Sequence, residues 1–193
     1  TRMGVNKLLL EIDGETVIRR AARRALEAGL APLLVVLGHQ AELARRELRA
    51  LACSVVVNHD YEKGIASSLR TGVAALPADC PAVVAVLADM PHVTSGMIAE
   101  LVARYRETHA CLVASQYEGV NAPPVLYDAS LFEELRAVSD TGCAQQVVKR
   151  HRDQAEVLSW PAARLADLDL PDDYRRLRSG RAESLEIVEQ KAG

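Results

Sequence analysis

The apolar run Ala82 to Ala88, ending at Asp89 and followed at once by Met90-Pro91, limits the fold more than any other stretch of the chain. Within it, Val83-Val84-Ala85-Val86-Leu87 shows no alternation with polar residues, so it reads as a strand buried on both faces. Such strands belong to open α/β sheets, which hold their ligands beyond the carboxyl ends of the strands. A carboxylate in that place suggests a metal or phosphate site. The competing reading is an ordinary turn or helix-capping aspartate before Met90-Pro91.

The neighbouring sequence has the periods of the same architecture. From Glu15 to Ala28, apolar residues recur at helical spacing, at Val17, Ile18, Ala21, Ala22, Ala25 and Leu26, and Gly29 supplies a stop. Leu33 to Leu37 reads as a short buried strand, Ala41 to Leu51 as a helix and Ser54 to Val57 as the next strand. Gly64 opens a helix to about Leu76, with Ser67 and Ser68 near its first amides. After Asp89, Thr94 can cap a helix reaching about Thr108, and Ala110 to Ser115 forms another strand. This alternation predicts an α/β fold of three layers, αβα, with a mainly parallel sheet and right-handed crossovers. From Tyr117 to Tyr127 the chain turns rich in Gly, Asn and Pro. Helices at Leu131 to Arg136 and Gly142 to His151, a strand near Val157 and a last helix from Tyr174 to about Arg178 complete the expected order.

Bulk properties narrow the class. At 193 residues the chain is expected to form one domain, 1–193, with residues 179–193 as a polar-ended tail. A formal charge of −3 with no basic stripe interleaved with aromatics argues against nucleic acid as a partner. No apolar stretch approaches the roughly 20 residues of a membrane helix, so no membrane partner is expected. Cys53, Cys80, Cys111 and Cys143 lie far apart with no zinc spacing, which suits free thiols and a cytoplasmic location. The five histidines show no ligand spacing, and neither a Gly-x-Ser-x-Gly elbow nor an intact Gly-x-Gly-x-x-Gly is present.

Four segments stand in order along the chain: Arg2-Met3-Gly4-x-x-Lys7, Gly64-x-x-Ser67-Ser68-Leu69-x-x-Gly72, Leu87-Ala88-Asp89-Met90-Pro91 and Asp167-Leu168-Asp169-Leu170-Pro171-x-Asp173. Read alone, the first is a Gly-bearing cationic loop able to wrap a polyphosphate, or simply a frayed basic terminus. Together the four resemble the MobA-like nucleotidyltransferases, and especially the molybdenum cofactor cytidylyltransferases of the MocA type, over about Arg2 to Leu177. The resemblance implies a Rossmann-like fold of the nucleotide-diphospho-sugar transferase type. It implies transfer of CMP from CTP, or a nucleotide from another NTP, onto the terminal phosphate of molybdopterin, with release of pyrophosphate and Mg²⁺ as cofactor. A molybdoenzyme or its maturation chaperone is an implied protein partner.

Carried over residue by residue, Arg2, Met3, Gly4 and Lys7 would contact the triphosphate, with Arg2, Lys7 and Asp89 as the catalytic set. Gly64, Ser67 and Ser68 would lie near the nucleotide, although a serine-capped helix start explains the serines equally well. Asp89 and Asp169 would hold Mg²⁺; for Asp169 the nearby Asp167, Asp172 and Asp173 compete, and helix capping is the alternative.

The chain departs from the family pattern on the acceptor side. Val120-Asn121-Ala122-Pro123-Pro124 replaces the usual Arg-Gly-His-Pro, and Ser139-Asp140-Thr141-Gly142 replaces Gly-Asp-x-Gly. Asn121, Asp140 and Gly142 are the acceptor-binding candidates, each also explicable as a turn or cap residue. These departures keep open another phosphorylated acceptor, and the partial N-terminal signature keeps open a non-catalytic cofactor-binding maturation protein. The family's usual first strand and Leu-Ala-Ala-Gly loop precede the Arg-Met-Gly, so the resemblance implies residues upstream of Thr1. A sheet without that strand would lack a central member.

Overall fold

The computed structural model describes residues 6–140 and 144–165. It begins with a hairpin of β1 (Glu11–Ile12) on β2 (Glu15–Thr16), in which Ile12 pairs with Glu15. Asp13 and Gly14 take φ of 56° and 77°, the two positive angles a type I′ turn demands, and an Asp-Gly pair meets that demand with least strain. The hairpin takes Glu15 and Thr16 out of the expected helix, so α1 runs Val17–Glu27.

β3 (Leu33–Leu37) and β4 (Cys53–Val57) pair in parallel across α2 (Ala41–Glu47). Ile18 and Ala22 of α1, with Ala44 of α2, close over one face of this pair, where Leu33, Val35 and Leu37 point. On the opposite face α3 (Ile65–Ala74) comes so near that a Cβ on Gly72 would lie 3.1 Å from the Val36 side chain. A glycine there lets helix and strand touch.

The larger sheet contains β5 (Ala82–Ala85), β6 (Leu112–Tyr117), β7 (Val120–Asp128) and β8 (Ala155–Trp160), in the order β5-β7-β6-β8. β7 is antiparallel to β5 and β6, while β8 is parallel to β6; three strands therefore share a direction and β7 alone reverses it. α4 (Ser95–Thr108) starts where the Thr94 hydroxyl accepts from the Met97 amide, and it covers one face. Its Met97, Ile98 and Leu101 meet Val113, Tyr117, Leu126 and Leu158. Val73 of α3, α5 (Phe132–Arg136) and α6 (Ala144–Arg150) cover the other face over Leu112, Ala114, Val125 and Tyr127. Leu101, Leu112 and Leu135 are fully buried, each contributing about 1.5–3 kcal/mol relative to exposure. The layers are those of an αβα sandwich. Among the described residues the two sheets share no ladder, and β5 is an edge strand of its own sheet.

Two expectations change here. Pairing in β5 stops at Ala85, three residues before Ala88, and its residues are half-buried where burial on both faces was expected. The reason lies across the ladder: Ala85 pairs with Val125, so Val86 and Leu87 run opposite Pro124 and Pro123, which have no N–H to donate. Val86 and Leu87 are held by packing near Met90 and Val93 instead. Asp89 thus lies on a turn beyond the strand. The Pro-rich stretch is itself strand β7, reached by a tight turn at Glu118-Gly119 and bulged against β6 between Ala114 and Gln116. No helix among the described residues is long and apolar enough to cross a membrane. The expected helix at Tyr174 and the tail lie outside the described residues.

Candidate functional site

Side chains of the first described residues reach the segments just beyond the carboxyl ends of β3 and β5. Asn6 starts a one-turn 3₁₀ helix, Lys7–Leu9, by accepting from the Leu8 amide at 3.1 Å, and its side-chain amide donates to the His39 carbonyl just after β3. That tie sets the direction of the next side chain. Lys7 Nζ lies 2.5 Å from Asp89 Oδ2, with the side chains 29% and 22% exposed. A cation from the start of the chain and a carboxylate from beyond β5 therefore face each other, still open to solvent.

Asn58, the first residue after β4, organises the adjoining loop. Only 3% exposed, it donates from its backbone to the Leu37 carbonyl at 2.7 Å, locking the end of β4 to that of β3. Its side-chain amide donates to the Ser67 and Ser68 hydroxyls at 2.8 and 3.0 Å, and its Oδ1 accepts from the Asp60 amide at 2.9 Å. The Ser67 hydroxyl lies 2.9 Å from the Asp60 carbonyl and 2.8 Å from that of Gly64, so its one proton serves those carbonyls. Ser67 is thus committed to the shape of the loop, not aimed at the first amides of α3 as the helix-start reading had it. Gly64 has φ of 96°, which a side chain would strain, and turns the loop into α3. Ser68 is half-buried at the loop surface. Beside it, Gly38 packs under Tyr61 so closely that a Cβ would come within 2.5 Å of the Tyr61 Cβ. Sequence reasoning passed over Asn58; its one local signal is a buried-type amide directly after an apolar strand.

On the acceptor side, Asn121 stands at the start of β7. Because β7 is antiparallel to β5, its first residues reach the edge beyond which Asp89 lies. The Asn121 Oδ1 accepts from Gln116 at 3.3 Å and its carbonyl from Gln145 at 3.2 Å. Asp140 is exposed and ion-paired with Arg70 of α3, whose guanidinium also donates to the Val138 carbonyl at 2.5 Å. Arg2, Met3, Gly4, Gly142 and Asp169 lie outside the described residues. Among the described residues no three His, Cys, Asp or Glu side chains cluster as a metal cage. A single accessible carboxylate suits a Mg²⁺ shared with substrate phosphates and water, since that ion keeps several waters and takes one or two protein carboxylates.

Comparison with known proteins gives these features a context. The MobA-like NTP transferase domain matches residues 1–155. Purine catabolism protein PucB of Bacillus subtilis is 28% identical over 189 residues, 92% of this chain and 90% of that protein. Nicotine blue oxidoreductase of Paenarthrobacter nicotinovorans is 29% identical over 62% of this chain and 57% of its own length. A crystal structure of Rv0371c from Mycobacterium tuberculosis superposes with a TM-score of 0.77 at 25% identity, covering 91% of this chain and 90% of that one. The same protein has been crystallised with manganese (TM-score 0.72, 24% identity, 90% of this chain and 91% of that one). Molybdopterin-guanine dinucleotide biosynthesis protein A from Archaeoglobus fulgidus shares the fold, with a TM-score of 0.65 at 16% identity over 94% of this chain and 93% of that one. With most of its length matched by the domain, the chain belongs to the MobA-like NTP transferase family.

Proposed function

We propose that the protein is a Mg²⁺-dependent nucleotidyltransferase that moves CMP from CTP onto the terminal phosphate of molybdopterin or the molybdenum cofactor and releases pyrophosphate. The observation that carries this reading is the pairing of Lys7 with Asp89 at the carboxyl edge of the strands. Attack by an acceptor phosphate oxygen on the α-phosphorus makes one P–O bond and breaks the bridge to the β-phosphate, and negative charge gathers on the oxygens throughout. Fixed cations stabilise that charge. Lys7, with Arg2 and the amides of Met3 and Gly4, would hold the triphosphate. Lys7 neutralises Asp89, and its ammonium is the group that would turn to a bound triphosphate. Asp89 and Asp169 would hold Mg²⁺, which when bound supplies Lewis-acid neutralisation of the phosphates. Gly64 and Ser68 would border the nucleotide, with Ser67 shaping the loop between them.

An acceptor that is already a phosphate anion needs no protein base, so the reading asks for no general-base histidine. Asn121, Asp140 and Gly142 would receive the acceptor. The manganese complex of Rv0371c supports a divalent cation, and the name of the Archaeoglobus protein supports a molybdopterin-type acceptor. The four ordered motifs support the cytidylyltransferase branch and, with it, a molybdoenzyme or its chaperone as recipient, while the chain length suits one domain and the widely spaced cysteines suit a cytoplasmic setting.

Ala122-Pro123, standing where the family carries Gly-His, favours a second reading in which the acceptor is another phosphorylated metabolite. Pyrophosphate release measured with CTP, GTP and a panel of acceptors separates the two. The leading reading expects release only with Mg²⁺, CTP and the pterin cofactor together, and tight cofactor binding with no turnover would replace it with the non-catalytic maturation role.

A further inference from the structure

One side chain of α1 reaches across to the turn that carries Asp89. Arg24, in the last turn of α1, is half-buried, and its Nη1 donates to the carbonyl oxygens of both Pro91 and Val93, the latter at 2.6 Å. Those residues follow Asp89 by two and four positions. The arginines around it are occupied differently: Arg20 pairs with Asp13 and Glu15, and Arg23 with Glu15 and Glu27. Among the described residues Arg24 forms no ion pair, and it spends its charge on two neutral carbonyls.

That choice is costly. Burial, and then the nearby Arg20 and Arg23, depress the Arg24 guanidinium below its ordinary pKa. Its surroundings are largely apolar, formed by Val17, Ala21, Val86, Leu87 and Ile98. A leucine or methionine would fill such a space without desolvating a charge, but it would leave the Pro91 and Val93 carbonyls without this donor. What arginine adds is position, because two charge-assisted bonds fix the backbone from Pro91 to Val93. The turn is anchored further by the buried side chains of Met90 and Val93, each 3% exposed, and by Leu165 packed against them. Arg164 reaches the intervening His92 carbonyl at 3.5 Å. Three successive carbonyls after Asp89 thus face arginines from two different parts of the chain.

We propose that Arg24 is a positioning residue that fixes the Asp89 turn, so that the carboxylate keeps its place opposite Lys7 and its affinity for a divalent cation. The metal half of this proposal rests on the reading of Asp89 as a ligand; the positional half does not.

The test compares Arg24→Gln and Arg24→Lys with Arg23→Gln, which removes surface ion pairs from the same helix. Amide exchange in metal-free protein reads the turn directly, because the Met90 amide bonds to the Leu87 carbonyl and the Val93 amide to that of Met90. Losing the clamp should speed exchange at Met90 and Val93 by about tenfold or more in Arg24→Gln, with Leu101 in the middle of α4 unchanged. Mn²⁺ titrated in the presence of CTP and followed by electron paramagnetic resonance should bind about 10- to 100-fold more weakly. Excess Mg²⁺ should restore most of the lost kcat, with KM for CTP then little altered. Arg24→Lys, a single-point donor, should fall between Arg24→Gln and the native protein and serves if Arg24→Gln does not fold. Unchanged exchange at Met90 and Val93 in the Arg24 variants, or equal weakening of Mn²⁺ binding in Arg23→Gln, overturns the proposal. Failure of the native protein to bind Mn²⁺ would overturn the ligand reading of Asp89 and the metal half with it, while the exchange result still judges the clamp.

Discussion

Two aspartates stand at opposite ends of β5 and are held in opposite ways. Asp128 pairs with Ala82 at the amino end, where its carboxylate accepts from the Tyr105 hydroxyl at 2.6 Å and the Ser130 amide at 2.9 Å. Burial alone would raise its pKa, but these bonds outweigh burial and hold it below the usual carboxylate range. Tyr105 is pushed up to about 12, chiefly by the same bond. Asp89, past the carboxyl end, faces an ammonium from a remote segment and stands on a turn outside the ladder. Neutral donors close at hand make Asp128 part of the architecture. A cation from a remote segment, facing a turn held by Arg24, is the arrangement that the proposed ligand role of Asp89 needs.

Replacing Lys7 breaks this contrast most strongly. Lys7→Met should lower kcat/KM for CTP by about 100- to 1,000-fold, the scale of losing one fixed donor to developing charge. Its melting temperature should fall only slightly, because the pair is partly buried but still open to solvent, and solvent-screened pairs contribute about 1 kcal/mol. A large loss of stability with modest loss of activity would make Lys7–Asp89 as structural as Tyr105–Asp128.

Asn58→Ala tests the loop between these extremes. It removes the donor to the Ser67 and Ser68 hydroxyls and the acceptor of the Asp60 amide, so urea unfolding should report a loss of about 1–3 kcal/mol. KM for CTP should rise more than kcat falls. An unaltered KM would separate the loop from the nucleotide.

The smallest effect belongs to the amino end. With Tyr105 at about 12 in the folded protein, the unfolded chain releases its phenolic proton first, near its ordinary value of about 10. Between those two values the unfolded state binds fewer protons, so stability falls as pH rises. Tyr105→Phe should remove that slope in unfolding measurements while activity at neutral pH stays the same.

Much of this arrangement was legible from periodicity, and the rest was not for identifiable reasons. Leu33 to Leu37, Ser54 to Val57 and the apolar run before Asp89 announce strands because their local pattern is strong. The end of β5 is set non-locally, by prolines that face it across the ladder, and no reading of Val86-Leu87 alone could place it. The β1–β2 strands are two residues each, too short for any period, although Asp13-Gly14 marked the turn. β7 was hidden by Pro123-Pro124, residues that ordinarily argue against a strand. Lys7 and Asp89 carried no local sign of meeting; only the order of the motifs linked them. Asn58 and Arg24 act through backbone carbonyls and neighbouring hydroxyls, contacts that leave no spacing in the sequence.

The most direct test sets Asp89→Asn beside Asp128→Asn in Mg²⁺-dependent pyrophosphate release with CTP and the pterin cofactor, both variants first confirmed folded. The account predicts that Asp89→Asn loses about 100-fold or more while Asp128→Asn stays within about twofold, since only the first removes charge from the reacting end. Loss of less than about tenfold in Asp89→Asn, or equal losses in the two, would contradict it.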